Sequence, residues 1–218
     1  MRFARLALFC DAQAFDAASN MAFDEALFWS CFRPTLRCYR WLRPSVSFGY
    51  FSAWDVVFER YPDRDLVRRW TGGGIVEHGE DFTYSLTLPA NETLPRSRDL
   101  YRLIHQSIAQ TLQLNGQLLE IANEPDANTS DACFERAVEF DLKLNNLKIA
   151  GAAIRRHRTG LLLQGSIQRV HLPPDFAQKL ALQLSNEVET FRPSPAVIEF
   201  ARRLATQKYS STEWNRRR

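Results

Sequence analysis

The chain has 218 residues, 45% hydrophobic and 24% charged, the composition of an ordinary globular domain, which excludes a collagen, a disulfide scaffold and a disordered segment. No apolar stretch approaches the roughly 18 residues of a membrane span, and the LALFC run at 6–10 is too short for a signal-peptide core, so a cytoplasmic protein is expected. The net charge is only +3, built from 24 Arg, four Lys and 25 carboxylates spread along the chain, and it demands neither nucleic acid nor a membrane as partner.

Residues 3–9 suit a first strand. Residues 16–32 place Met21, Ala22, Glu25, Leu27, Phe28 and Phe32 at helical spacing behind an Asp16 N-cap. Strands are expected at 35–41 and 44–51, then a short helix stopped by Pro62. DLVRRW (65–70) reads as a strand ending in TGGG, followed by strands IVEH and FTYSLTLP (82–89). The stripe Leu100, Leu103, Ile104, Ile108, Leu112, Leu114 predicts a helix over 97–115, ended by Gly116. Residues 121–132 have turn composition and no apolar period, hence a loop. Three antiparallel strands follow at 137–144, 147–157 and 160–172, then helices at 174–185 and 194–207 and a frayed STEWNRRR tail. With no repeat, linker or composition break, residues 1–218 read as a single mixed α/β (α+β) domain.

Three segments carry candidate chemistry. The first is Arg68-Arg69-Trp70-Thr71-Gly72-Gly73-Gly74 with His78 close behind. Consecutive glycines let backbone N–H groups approach an anion, and two arginines add charge; a plain turn is the alternative. The block is neither a P-loop nor a dinucleotide fingerprint, because no GK[ST] or helix follows. The second is the strand around Lys148, where alternation would put Lys148, Ala150, Ala152 and Ile154 on one face; an edge lysine in solvent is the bland reading. The third is Cys133, a thiol on the polar loop, whereas Cys10, Cys31 and Cys38 lie in apolar patterns and read as core. No C-x-x-C pair occurs and no His sits at ligand spacing from a Cys, so no metal site is expected and the thiols should be reduced. Of the histidines, only His78 is in suggestive company; His105, His157 and His171 read as surface or satisfied core.

Taken in order, NMAFDEAL, RWLRPSVSFGYFSAWDVV, RRWTGGGIVEHGEDFTYSL, LKIAGAAIRRHRTGLLLQGSI and KYSSTEWN resemble the biotin/lipoate protein ligase and lipoyl/octanoyl transferase superfamily. The resemblance implies a mixed sheet with packed helices and a tunnel for an acyl chain that is attached to one lysine of a small carrier domain. By it, Lys148 matches the lysine on the acyl carbonyl or acyl-phosphate. Gly72, Gly73 and Gly74 match the glycine segment beside the acyl group, and His78 the histidine that follows along the tunnel. Two branches of the superfamily differ in donor. Ligases activate free lipoate with ATP and Mg and carry an Asn-Asp pair before the lysine strand; EFDLKLNN has Asp141 without a clear pair. Ligase-like octanoyltransferases need no cofactor and use a cysteine in an A-C-F segment, which Ala132-Cys133-Phe134 fits. The sequence departs from the transferase pattern in reading G-A-A-I after the lysine and Thr-Gly-Gly-Gly at the glycine block, which leaves the donor open.

The reaction implied is ping-pong: Cys133 takes octanoyl from acyl carrier protein and passes it to a lipoyl domain or glycine cleavage H protein. Lys148 would stabilise the charge on the carbonyl oxygen, with backbone donors from Gly72–Gly74 or Gly151 and a wall at Ala152. Arg68, Arg69, Arg155 and Arg156 are candidates for gripping an acidic carrier or, for a ligase, nucleotide phosphate; structural roles are the alternative. A non-catalytic carrier-binding protein of the same fold is the third reading.

Overall fold

The structure is a computed structural model that describes residues 2–90, 93–113, 119–124 and 138–217. Its elements in chain order are β1 (Leu6–Cys10), α1 (Ala17–Ser30), β2 (Thr35–Tyr39), β3 (Ser45–Phe48), α2 (Trp54–Arg60), β4 (Asp65–Arg68), β5 (Ile75–His78), β6 (Phe82–Pro89), α3 (Ser97–Gln113) and β7 (Glu120–Ile121). Then come β8 (Leu142–Leu144), β9 (Leu147–His157), β10 (Gly160–Ile167), α4 (Phe176–Leu184), β11 (Val188–Thr190), α5 (Pro195–Leu204), a π-helical turn (Ala205–Tyr209) and α6 (Thr212–Asn215).

The strands form an eight-stranded mixed sheet ordered β11-β1-β2-β6-β10-β9-β8-β7 and a three-stranded sheet ordered β4-β3-β5. One face of the large sheet is sealed by α3 and α4. There Leu100, Ile104 and Ile108 and, from α4, Phe176 and Leu180 pack on Leu36, Leu86, Leu161 and Leu163. The other face receives α1 and the small sheet. Helix α1 is apolar nearly all round, as a helix buried on every side must be, and Asp16 caps it by accepting from the Ser19 amide at 2.8 Å.

Several sequence expectations need correction. The strand expected at 160–172 ends at Ile167, where Arg169 turns left-handed at φ 60°. Only Leu142–Leu144 of the strand expected over 137–144 forms, with Phe140 at φ 70° just before it. Cys10 is not core: it ends β1 and is exposed, while its register partner Cys38 is buried. Of the two places expected for His105, surface or core, the core one holds, and the ring is fully buried. The tail is not frayed either. Trp214 and Asn215 of α6 are buried, because Asn215 Oδ1 accepts from the Arg68 amide (2.8 Å) and Trp214 Nε1 donates to the Arg68 carbonyl (2.9 Å). Cys133 and most of the loop at 121–132 lie outside the described residues.

Candidate active site

Between the two sheets and α1 runs a slot lined by Met21, Trp41, Ser47, Arg69, Val76 and His78 on one side, and by Gly151–Ala153 with Gln164–Ser166 on the other. Its floor follows from strand register. Gly151, Ser166, Thr83 and Tyr39 stand directly opposite one another across β9, β10, β6 and β2. Ala153, Gln164, Ser85 and Arg37 form the next row. At about 4.8 Å per strand the three steps make a floor about 14 Å long. The cavity measures about 30 Å3, room for a water or two, so a longer guest enters only by parting the walls.

Much of this floor is polar, and two buried carboxylates satisfy it. Asp24 of α1 accepts from Ser85 Oγ (2.6 Å), Tyr39 Oη (2.9 Å), Gln164 Nε2 (2.7 Å) and Arg37 Nη1 (2.8 Å). Thr71 Oγ1 donates to Gln164 Oε1 at 2.7 Å, which fixes the amide's orientation. Asp81 accepts from Ser166 Oγ (2.6 Å) and Thr83 Oγ1 (2.8 Å). It also pairs with His78 Nδ1 at 2.8 Å. Burial alone would raise the Asp81 carboxyl, but His78, Ser166 and Thr83 together bring it below the usual range. His78 Nε2 meets Ser47 Oγ at 2.6 Å, and the ring stacks on Trp41 with centroids 3.9 Å apart. Trp41 is pinned in turn by its Nε1 donating to Thr83 Oγ1 at 2.7 Å.

Lys148 reaches this face through a break in the ladder. Lys143 pairs with Lys148 but Leu142 pairs with Ala150, so Ile149 is one residue extra on β9. The bulge reverses the expected alternation. Ala150, Ala152 and Ile154 pack towards α3, whereas Lys148 lies over Gly151, on the slot side. Its ammonium pairs with Asp141 Oδ2 at 2.6 Å, and both side chains are buried. Burial pushes the Asp141 carboxyl above its ordinary value, although Lys148, Tyr101 and the Val138 amide each pull it back.

A β-carbon on Gly151 would stand 2.6 Å from Lys148 Cε and 2.8 Å from Nζ, so the ammonium can lie here only over bare backbone. Gly151→Ala is therefore expected to displace Lys148 from Asp141, with a loss of about 1–3 kcal/mol of stability from overpacking and a larger loss of turnover than of folding. Thermal unfolding compared with steady-state kinetics checks this, and a variant with full activity would show that the ammonium's position is unimportant.

The glycine block sits against the same strand. Gly73 holds φ 86°, a left-handed conformation that favours glycine, and a β-carbon there would touch Ala153 Cβ at 3.3 Å. Its carbonyl lies under Gly49, where any β-carbon would fall 1.8 Å from that oxygen. Arg69 shapes the block from within: Nη2 donates to the carbonyls of Gly72 (3.0 Å) and Gly74 (2.8 Å), and Nη1 to Ser47 O and Oγ (both 2.8 Å).

The arginines expected to grip a carrier mostly turn inward. Arg68 is fully buried and donates to the carbonyls of Tyr50 (2.8 Å), Ser52 (2.7 Å) and Asn215 (2.9 Å), so it clamps the C-terminal turn rather than facing a ligand. Arg155 lies over Trp70, 4.4 Å from the ring centroid, and donates to that residue's carbonyl. Arg156 is exposed and donates to Pro95 O at 2.5 Å. Lys148, Gly151, Ala152, Gly73, Arg69 and His78 are thus brought together, and Cys133 lies outside the described residues. Sequence reading missed Asp24, Asp81, Ser47, Trp41 and Tyr101. The signal for the first was available: an acid one helical turn after Asn20, on a helix whose remaining buried positions, Glu25 apart, are apolar.

Two sheets around a narrow slot, with a buried lysine over a glycine, define a lipoyl-ligase type of catalytic domain. The chain belongs to the family described as the lipoyl protein ligase A/B catalytic domain, whose sequence model matches residues 16–178. It is similar to an octanoyltransferase LipM of Oceanobacillus iheyensis, 38% identical over 163 residues that cover 70% of this chain and 60% of the relative. It is also similar to an octanoyltransferase LipM of Clostridioides difficile, 33% identical over 169 residues, 71% of this chain and 62% of the relative. The chain thus spans about three fifths of the length of these two relatives. Among solved structures, a lipoate-protein ligase A bound with ATP superposes with a TM-score of 0.77 at 20% identity, covering 98% of each chain, and shares the fold.

Proposed function

We propose that the protein is an octanoyltransferase that moves an octanoyl group through a Cys133 thioester to the lysine of a lipoyl carrier domain. The observation that carries the reading is the buried Lys148 ammonium, held by Asp141 over Gly151 beside the slot, in a chain whose relatives at 33–38% identity are named octanoyltransferases. In the first half-reaction the Cys133 thiolate attacks the octanoyl carbonyl of acyl carrier protein, the new C–S bond replaces the old one, and the carrier thiol leaves with a proton. In the second, the acceptor lysine's amine attacks that thioester; an amide forms, Cys133 is released as thiolate, and the amine's proton goes to solvent, which replaces the one the carrier thiol took. Lys148 stabilises the negative charge on the carbonyl oxygen in both steps. Gly73 and Ala153 wall the slot, and Arg69 and His78 hold its far side. Cys133 is five residues before Val138, whose amide donates to Asp141 at 2.6 Å. Five residues span at most about 18 Å, and the reading requires the thiol to meet the lysine within that reach.

Incubation with octanoyl–acyl carrier protein is expected to add one octanoyl group to the intact mass, labile to hydroxylamine and lost in Cys133→Ser. Modification of a lipoyl domain by Cys133→Ser that depends on ATP and free lipoate would replace this reading with the ligase one. Absence of any transfer by the wild-type chain, from either donor, would leave a carrier-binding protein.

A further inference from the structure

Behind Lys148 lies a second set of buried polar groups, carried by α3. Strand β8 ends in register at Leu142, opposite Ala150, so the Ala152 amide on that edge of β9 has no strand to bond. It donates instead to Tyr101 Oη at 3.1 Å. A backbone amide can only donate, which commits the phenol's own proton elsewhere, and it goes to Asp141 Oδ1. The other carboxylate oxygen takes the Lys148 ammonium (2.6 Å) and the Val138 amide (2.6 Å). The bonds therefore run in one direction, from the Ala152 backbone through Tyr101 to Asp141, which also receives the Lys148 ammonium.

We propose that Tyr101 is a positioning residue for Lys148: its phenol locks the Asp141 carboxylate, and through it the ammonium, to the strand that floors the slot. The inference rests on the acyl-transfer role of Lys148 given above and names the group that sets that lysine's place. Ala152 lies next to Gly151, over which the ammonium sits, so one phenol ties the lysine's counter-ion to the backbone beneath the lysine. Without it, Asp141 keeps its amide and its lysine but loses its anchor to the sheet.

Among the described residues, the groups facing Asp141 leave few other titrations in the way. They are Lys148 on β9, Tyr101 and His105 on α3, and Tyr84 on β6, with Lys143 opposite Lys148 in the ladder and Arg169 donating to the Lys148 carbonyl. Burial, and then the Lys148 charge, push His105 down to about 3, so it is neutral in the working range. Burial and the Asp141 charge push Tyr84 and Tyr101 far up, so both phenols keep their protons. Of these groups, Asp141, whose carboxyl burial raises, is thus the one whose protonation frees Lys148.

The test follows Asp141 by carboxyl 13C NMR over pH in aspartate-labelled protein, with its signal assigned by Asp141→Asn. Losing a hydrogen bond to a carboxylate favours the protonated form, so Tyr101→Phe is expected to raise the Asp141 midpoint by about one pH unit. The acid limb of the transfer profile should move up with it, and kcat should fall about tenfold with KM for the acceptor unchanged. Site-specific 3,5-difluorotyrosine at position 101, a stronger donor of the same shape, is expected to move the midpoint down and serves if Tyr101→Phe does not fold. A midpoint unmoved by these changes overturns the proposal while leaving acyl transfer intact. A midpoint that moves as expected in a protein that transfers nothing supports the hold on Asp141 and removes the acyl-transfer reading instead.

Discussion

Lys148→Ala is expected to lower acyl transfer on the order of 10²–10³-fold while leaving a folded protein. The size is that of removing one preorganised donor from a developing oxyanion. A charge this deeply buried is screened little, and in the described lining Arg69 already holds Ser47, Gly72 and Gly74 with Nη1 and Nη2. The folded state pays a smaller toll. Asp141 loses its buried partner, and its carboxyl, already raised by burial, rises further and takes up a proton rather than remaining as an unpaired charge. Lys148→Arg should not rescue activity, because the longer, planar fork does not match an ammonium that lies so close to the Gly151 backbone that a β-carbon there would stand 2.6–2.8 Å from Cε and Nζ. Intact-mass kinetics of a lipoyl-domain acceptor read the effect, and an alanine variant within a few-fold of wild type would remove Lys148 from the chemistry.

The same lysine shows where reading a sequence stops. Helix α1 with its Asp16 cap, the stripe of α3 and strand β9 are properties of single segments, and the sequence predicts each within a few residues of its observed bounds. The face on which Lys148 lies is a property of two strands. Nothing in LKIAGAAI announces that β8 will skip Ile149, yet that skip moves the ammonium from the α3 side to the slot. His78 was visible from its position after the glycines, but its partners Asp81 and Ser47 come from a turn and from β3. Arg68 and Arg69 illustrate the opposite error. Two adjacent arginines before a glycine run suggest an anion grip, and only packing shows that both guanidinium groups are used up on carbonyls that shape the loop and clamp the tail. The superfamily resemblance, which the family match over residues 16–178 bears out, carries tertiary information that spacing lacks.

Replacing Arg37 should cost more stability than any other change considered. Its guanidinium is fully buried between Asp11 (2.6 Å) and Asp24 (2.8 Å) and also donates to Asn20 O at 2.9 Å. Burial disfavours the charge, but the two carboxylates outweigh it and hold the group more firmly protonated than an ordinary arginine. Arg37→Met keeps the length and leaves two carboxylates unpaired. Truncating one member of a buried ionic cluster costs about 3–5 kcal/mol, or roughly 6–20 °C in Tm for a domain of this size. The pH dependence has a definite sign. Without the guanidinium that pulls it back, the Asp11 carboxyl, already raised by burial, rises further above its unfolded value near 3.9. The added loss is therefore absent at about pH 4 and grows as pH rises from the unfolded value towards the raised one. Urea unfolding of both proteins at pH 4 and pH 7 checks this, and a constant difference would assign the loss to packing. Adding Asp24→Asn should recover part of the stability and none of the activity. Asp24 also orients Gln164, Tyr39 and Ser85, so the cluster that holds α1 to the sheet is the one that shapes the slot floor.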